Sequence, residues 1–320
     1  MNLMDEMMTH THTLKGRNVL SWLDFTQTDV SQLLAQTQDL KENPHNNMMS
    51  GKTLGMIFEK SSTRTRVSFE VGMVQMGGHA LYLNSRDIQI GRGETIADTA
   101  KVLSGYVDAI MYRTTSHEKL AELAEHATIP VINGLCDIYH PCQALADVFT
   151  ILELKGRLSG VKVVYIGDGN NVAHSLMILS AMMGMEVVVS SPKGYEPDDE
   201  IVEKANQAAK ENRGSVKIEH DPMIAVQGAD VIYTDVWTSM GQEEETEVRL
   251  KDLADYQVND ELLKIAKEDV HFLHCLPAHR EEEVTASVID GPHSAVFQQA
   301  ENRLHVQKAI LQSVAGHRCS

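Results

Sequence analysis

Leu54-Gly55-Met56-Ile57-Phe58-Glu59-Lys60-Ser61-Ser62-Thr63-Arg64-Thr65-Arg66 is the stretch on which the fold turns. An apolar run of strand length stops at Glu59, hydroxyl and cationic residues follow at once, and helical spacing begins near Arg64. Strand, polar turn and helix in that order make one βα unit. The same alternation recurs over almost the whole chain, as in open parallel sheets covered by crossover helices.

In the first half, strands are predicted at Leu54–Glu59, Ala80–Asn84, Ala109–Arg113 and Pro130–Asn133, with helices near Arg64–Met76, Glu94–Tyr106 and Glu118–His126. An earlier helix is predicted over Asp29–Lys41, with Thr28 as N-cap and Val30, Leu33, Leu34 and Leu40 on one face. A long helical pattern from His140 to about Leu154 reads as a bridge between domains. Strands are then predicted at Lys162–Ile166, Glu186–Ser190, Val216–Glu219, Val231–Val236, His271–Cys275 and Ala295–Phe297, and a last helix at Asn302–Val314. The 320 residues exceed one domain of roughly 100–200, so the fold class is α/β with two doubly wound parallel-sheet domains. Their expected limits are 1–140 and 156–300, with the bridge over 141–155 and a C-terminal helix over 301–320.

Lys and Arg number 28 against 45 Asp and Glu, a net charge of −17, which disfavours nucleic acid and anionic membrane as partners. Any arginine cluster that binds an anion must work against that field. Cys136, Cys142, Cys275 and Cys319 form no metal or disulfide spacing, so reduced thiols in a cytoplasmic setting are expected. Residues 1–14 lack a signal or transit pattern, and Val172–Val189, the most apolar region, reads as helix then strand rather than a membrane span.

Open α/β sheets bind ligands beyond the carboxyl ends of their strands. Five clusters and one further arginine fall there. Lys60 to Arg66 places hydroxyls and guanidinium groups at a helix start, where free N–H groups and the helix dipole favour phosphate; the competing reading is an ordinary capped, solvated helix. Arg113 ends a strand. His140-Pro141-Cys142-Gln143 opens the bridging helix, with His140 and Gln143 one turn apart, and a donor beside an amide suits a carbamoyl group. Asp235-Val236-Trp237-Thr238-Ser239-Met240-Gly241 suits an amino acid, with Asp235 on the ammonium and the turn on the carboxylate, although taken alone it reads as a strand-ending loop. His274-Cys275-Leu276-Pro277 and Glu301-Asn302-Arg303 complete the set.

Three patterns are rejected. Gly51-Lys52-Thr53 precedes its strand and has Asn46 where a phosphate loop needs Gly, and His117-Glu118 lacks the second His of a zinc protease because Ala121 occupies its place. Gly167-Asp168-Gly169 has Val172 for the third Gly of a dinucleotide fold, and the next strand ends in Ser190-Ser191 without the ribose-binding acid.

With Ser62-Thr63-Arg64-Thr65, His140-Pro141-Cys142-Gln143, Asp235…Ser239-Met240-Gly241, His274-Cys275-Leu276-Pro277 and Glu301-Asn302-Arg303 in that order, the sequence resembles the aspartate/ornithine transcarbamoylase family throughout its length, most closely its bacterial ornithine branch. The resemblance implies a carbamoyl phosphate domain followed by an ornithine domain, joined by two interdomain helices, the second returning to the first domain, and a homotrimer or multiple of trimers with sites at subunit interfaces. It implies that Ser62, Thr63, Arg64, Thr65 and Arg113 hold the phosphate, that His140 and Gln143 bind the carbamoyl end, and that Cys275, Leu276 and Arg303 also contact carbamoyl phosphate. Gln89 matches a loop that reaches into a neighbouring subunit's site. Asn171, Asp235, Ser239 and Met240 match ornithine-binding positions, and Arg113, His140, Asp235 and Cys275 the catalytic ones. No metal or organic cofactor is expected. A transcarbamoylase for putrescine or another amine, and a non-catalytic anion-binding paralogue, are the alternatives. The Ser239-Met240-Gly241 turn argues for an α-amino acid, and the presence of Arg113, His140 and Cys275 argues for activity.

Overall fold

The computed structural model describes residues 14–91, 93–238 and 243–317. The chain divides into two compact units, one of residues up to Leu145 together with those from Asn302 onward, the other of Ala146–Glu301.

The first unit holds α1 (Gln27–Glu42), β1 (Thr53–Phe58), α2 (Thr63–Gln75), β2 (His79–Asn84), α3 (Ile96–Ser104), β3 (Ala109–Arg113), α4 (His117–His126) and β4 (Val131–Leu135). Its sheet runs β2-β1-β3-β4, all parallel. β1 is buried from Leu54 to Phe58, which is why its sequence is a continuous apolar run rather than an alternating one. The chain passes from β1 to one side and then to the other, so the crevice between β1 and β3 is the switch point, and Phe58 pairs with Arg113 beside it.

α5 (Pro141–Lys155) begins in the first unit and ends in the second. The second unit continues with β5 (Lys162–Ile166), α6 (Asn171–Met182), β6 (Glu186–Ser190), α7 (Asp199–Asn212), β7 (Ser215–Glu219), α8 (Pro222–Ala225), β8 (Val231–Thr234), α9 (Thr246–Asp252), α10 (Asp260–Ile265), β9 (His271–His274) and α11 (Ala286–Ile289). Helix α12 (Val296–Ala315) ends the described elements. The parallel sheet β7-β6-β5-β8-β9 switches direction between β5 and β8, whose ends pair Ile166 with Thr234. Val164, Ile166, Ile232, Trp237, Phe272 and Val288 belong to one core, and α6 is buried from Val172 to Met182, as its nearly uninterrupted apolar sequence requires. No described helix is long and apolar enough to cross a membrane.

Four expectations are corrected. α1 is capped by Thr26, not Thr28: Thr26 Oγ1 accepts from Asp29 N–H while the Asp29 carboxylate accepts from Thr26 N–H, a reciprocal pair that needs the acid three residues on. The strand predicted at Ala295–Phe297 does not form. Ser294 makes a single bridge to Phe272, then α12 starts at Val296, with Val296 buried and Phe297 71% exposed on different faces of its first turn. The last helix therefore begins six residues before Asn302. β8 and β9 also stop at Thr234 and His274, which leaves Asp235 and Cys275 in the loops beyond them.

Candidate active site

In the first unit, α2 starts directly beyond β1. Ser62 caps it, accepting from Thr65 N–H at 3.4 Å and donating to Thr65 Oγ1 at 3.1 Å. The first turn carries no acid, whereas α1 and α4 carry Asp29 and Glu118 there. The positive end of the α2 dipole, roughly half an elementary charge, is thus left for an external anion. Thr65 is buried, Arg64 half-buried and Thr63 exposed. Arg113 ends β3 at 6% exposure.

α5 likewise lacks an acid in its first turn, and His140 and Gln143 are both buried there. Arg303, in the first-unit part of α12, donates from Nη1 to Gln143 Oε1 at 2.6 Å, which orients that amide with its oxygen toward the guanidinium. Burial, and then the charges of Arg303, Arg113 and Arg64, hold His140 well below the usual histidine range. Arg64, Arg113, His140, Gln143 and Arg303 thus form one cluster around a neutral imidazole, able to donate a hydrogen bond without adding charge. Burial pushes the neighbouring Cys142 thiol up to about 11, so it stays protonated. Gln89 is exposed on the 3-10 turn Gln89–Gly91.

The second unit gathers its groups beyond β5, β8 and β9. Asp235 Oδ1 accepts from Val236 N–H at 2.8 Å and from Cys275 Sγ at 2.9 Å, and Oδ2 accepts from Asn170 Nδ2 at 2.9 Å. Asn170 is the N-cap of α6, its Oδ1 accepting from Val172 and Ala173 N–H, so its NH2 has to face Asp235. Asn171, the sequence-predicted ligand, is the first residue of α6. The turn that holds Asn170 needs glycine at 169, where a Cβ would collide with the Glu196–Pro197 backbone. Burial pushes Asp168 up, opposed by Arg249, which donates to it at 3.0 Å and to Trp237 O at 3.2 Å. That cation ties the loops after β5 and β8 together. Burial, then the nearby Asp235 and Asp168 charges, keep Tyr165 protonated as a donor to Asn170 Oδ1 at 3.3 Å.

Leu276 adopts the left-handed conformation, φ 57°, costly for this residue, and its N–H donates to His274 Nδ1 at 2.8 Å. His274 Nδ1 is therefore an acceptor, and Nε2 lies 3.1 Å from Glu283 Oε1. Asp235, His274 and Cys275 bring potential metal-ligand atoms within 4.8 Å of one another, but hydrogen bonds engage both nitrogens of that imidazole, so the set is built as a polar network. Ser239 and Met240 lie outside the described residues. Sequence reasoning missed Asn170 and the orienting role of His274. A capping-type residue before α6 was the only signal for the first.

Comparison with known proteins also finds two domains, divided by sequence, so that residues 302–314 of the first unit fall in the second match. Residues 17–153 match the aspartate/ornithine carbamoyltransferase carbamoyl-P binding domain, and residues 159–314 the Asp/Orn binding domain. An ornithine carbamoyltransferase of Bacillus subtilis (strain 168) is 63% identical over 309 residues, covering 96% of this chain and 97% of the relative. An anabolic ornithine carbamoyltransferase of Pyrococcus furiosus is 58% identical over 309 residues, covering 95% and 98%. A solved ornithine carbamoyltransferase from Pyrococcus furiosus superposes with a TM-score of 0.93 at 57% identity, covering 95% of this chain and 99% of that one. One from Thermus thermophilus gives 0.85 at 43%, covering 93% and 98%. With both domains matched in order over almost its whole length, the chain belongs to the aspartate/ornithine carbamoyltransferase family.

Proposed function

We propose that the chain is an ornithine carbamoyltransferase, moving the carbamoyl group of carbamoyl phosphate to the δ-amine of L-ornithine to give L-citrulline and phosphate. The observation that carries this reading is the buried, neutral His140 in the field of Arg64, Arg113 and Arg303. Such a cluster suits a ligand that is strongly anionic at one end and a neutral amide at the other.

In this reading Ser62, Thr63, Arg64, Thr65 and Arg113 hold the phosphate, with Gln89 contributed from a neighbouring subunit. His140 and Gln143 bind the carbamoyl end, with Arg303, Cys275 and Leu276 also on carbamoyl phosphate. Asn171, Asp235, Ser239 and Met240 bind ornithine. The δ-amine resembles Lys, so only on the order of 10⁻³ to 10⁻⁴ of it is neutral at pH 7, and only that form attacks. Asp235 and Cys275 assist departure of its proton. Attack on the carbonyl carbon makes an oxyanion that Thr65, Arg113 and His140 stabilise, and collapse expels phosphate.

The exposed stripe Val67, Val71 and Val74 on α2, with Leu81 on the edge strand β2, supports burial of this face in a homotrimer. The free thiols of Cys136, Cys142 and Cys275 support a cytoplasmic setting. The test is citrulline formation compared with carbamoylation of putrescine. A charge-assisted contact to the α-carboxylate or α-ammonium is worth about 1.5–3 kcal/mol, so ornithine is expected to win by roughly 10- to 150-fold in kcat/KM. Equal values would defeat the ornithine assignment and leave a transcarbamoylase of another specificity.

A further inference from the structure

Beside the anion cluster of the first unit stands a carboxylate with no part in the proposed chemistry. Glu59 is the first residue beyond β1, and an acid next to a phosphate site opposes binding unless it is otherwise engaged. Its Oε1 accepts from Tyr112 Oη at 2.8 Å and Lys119 Nζ at 3.0 Å, and its Oε2 from Thr114 Oγ1 at 2.7 Å and Thr115 N–H at 3.3 Å. The Glu59 N–H donates to Arg113 O at 2.9 Å. One residue thereby grips the chain immediately before Arg113, at Arg113 and immediately after it. Burial works to raise the Glu59 carboxyl, and the hydrogen bonds from Thr114, Tyr112 and Lys119 outweigh it and hold the group below the usual range.

The grip comes where the sheet itself is least restraining. β3 pairs regularly with β4 up to Tyr112 opposite Asn133, then the register shifts so that Arg113 faces Leu135. The extra residue lies in β4, at Gly134, so the regular β3–β4 pairing lapses beside Arg113 and that end of β3 needs a restraint from another quarter. β1 supplies it on the opposite edge of β3, through the residue that also starts the Lys60–Thr65 turn.

We propose that Glu59 is a positioning residue for phosphate recognition, its carboxylate fixing the direction in which the Arg113 guanidinium leaves β3. The proposal rests on the carbamoyl phosphate reading of this unit. Because it acts through Arg113, its loss does not matter once that guanidinium is gone.

The experiment places Glu59→Ala, Glu59→Gln and Thr114→Val in the full-length enzyme, alone and with Arg113→Ala, and measures kcat, both KM values, inhibition by inorganic phosphate and thermal stability. Glu59→Ala is expected to lower kcat/KM for carbamoyl phosphate about 100-fold, the loss that follows a displacement of roughly 1 Å in a positioning group. The ornithine KM stays within about 2-fold, and phosphate inhibition weakens in parallel. Glu59→Gln, which keeps one acceptor oxygen, recovers part of the loss, and Thr114→Val gives a smaller effect of the same sign even if Glu59→Ala does not fold. In the Arg113→Ala background, Glu59→Ala changes activity by less than about 2-fold. Full additivity there, or equal shifts in both KM values, overturns the proposal. An impaired Arg113→Ala enzyme beside an unimpaired Glu59→Ala enzyme overturns the proposal alone, whereas a normal Arg113→Ala enzyme overturns the reading of the site and the proposal with it.

Discussion

Asp235→Asn tests the acceptor half with almost no change in volume. The native carboxylate accepts hydrogen bonds from Val236 N–H, Cys275 Sγ and Asn170 Nδ2. Asn170 cannot turn its amide to suit a new neighbour, because its oxygen caps α6 at Val172 and Ala173. Whichever way the substituted amide faces, its NH2 opposes a donor: the Asn170 NH2 on one side or the Val236 N–H on the other. One donor left unsatisfied costs about 1–3 kcal/mol of stability. The substrate ammonium also loses its charged partner, about 1.5–3 kcal/mol, or roughly 10- to 150-fold in kcat/KM for ornithine. The assay is citrulline formation with ornithine varied at saturating carbamoyl phosphate, together with calorimetric titration of carbamoyl phosphate alone. Carbamoyl phosphate affinity is expected to stay within about 2-fold, since the first unit is untouched. A kcat/KM for ornithine within about 3-fold of the parent, well short of a lost charge-assisted bond, would refute the assignment of Asp235 to the amino acid.

Two further outcomes are expected. Arg64→Ala, which removes a charge from the anion cluster, should cost about 2–5 kcal/mol, roughly 30- to 5,000-fold in carbamoyl phosphate use with the fold intact; near-normal activity at low carbamoyl phosphate would end the assignment of that turn. His140 has a folded pKa held down by burial and by Arg303, Arg113 and Arg64, so below about pH 6.5 the unfolded chain binds a proton that the folded chain refuses. Its contribution to stability therefore falls as pH drops below about 6.5, by up to about 1.4 kcal/mol per pH unit until the folded value is reached, and urea unfolding of the parent against His140→Asn at about pH 7.5 and 5.5 should show the parent losing more.

The fold was legible where local chemistry decides it. β1 is an inner parallel strand, so its apolar run is unbroken and its end at Glu59–Lys60 is sharp, and β3, β5 and β6 took the predicted limits for the same reason. Legibility failed where two patterns compete within a few residues. Val296-Phe297 has strand composition, but one residue is buried and the other exposed on the first turn of a helix. Residues with side-chain chemistry at strand ends could be picked out as candidates from the sequence, since guanidinium, hydroxyl and imidazole groups there have few structural uses. Those that only orient others could not. Asn170 meets Asp235 across 65 residues and Glu59 meets Tyr112 across 53, and no local spacing encodes such pairs.

Charge explains how a chain of net −17 can be read as binding an anion. At physiological ionic strength the screening length is about 8 Å, so acids on distant surfaces count for little beside the burial of His140 and the three guanidinium groups that, added to it, hold that imidazole neutral. The same arrangement separates affinity from acceptor choice. The three guanidinium groups acting on His140 belong to the first unit, while Asp235, proposed to bind the amino acid, and Asn170, which orients it, belong to the second. A change of acceptor amine therefore requires no change at Arg64, Arg113 or Arg303. In the proposed reading it is the surroundings of Asp235 that would change, at a cost in stability, because Asn170, Val236 and Cys275 all donate to that carboxylate and the capping of α6 keeps Asn170 from turning.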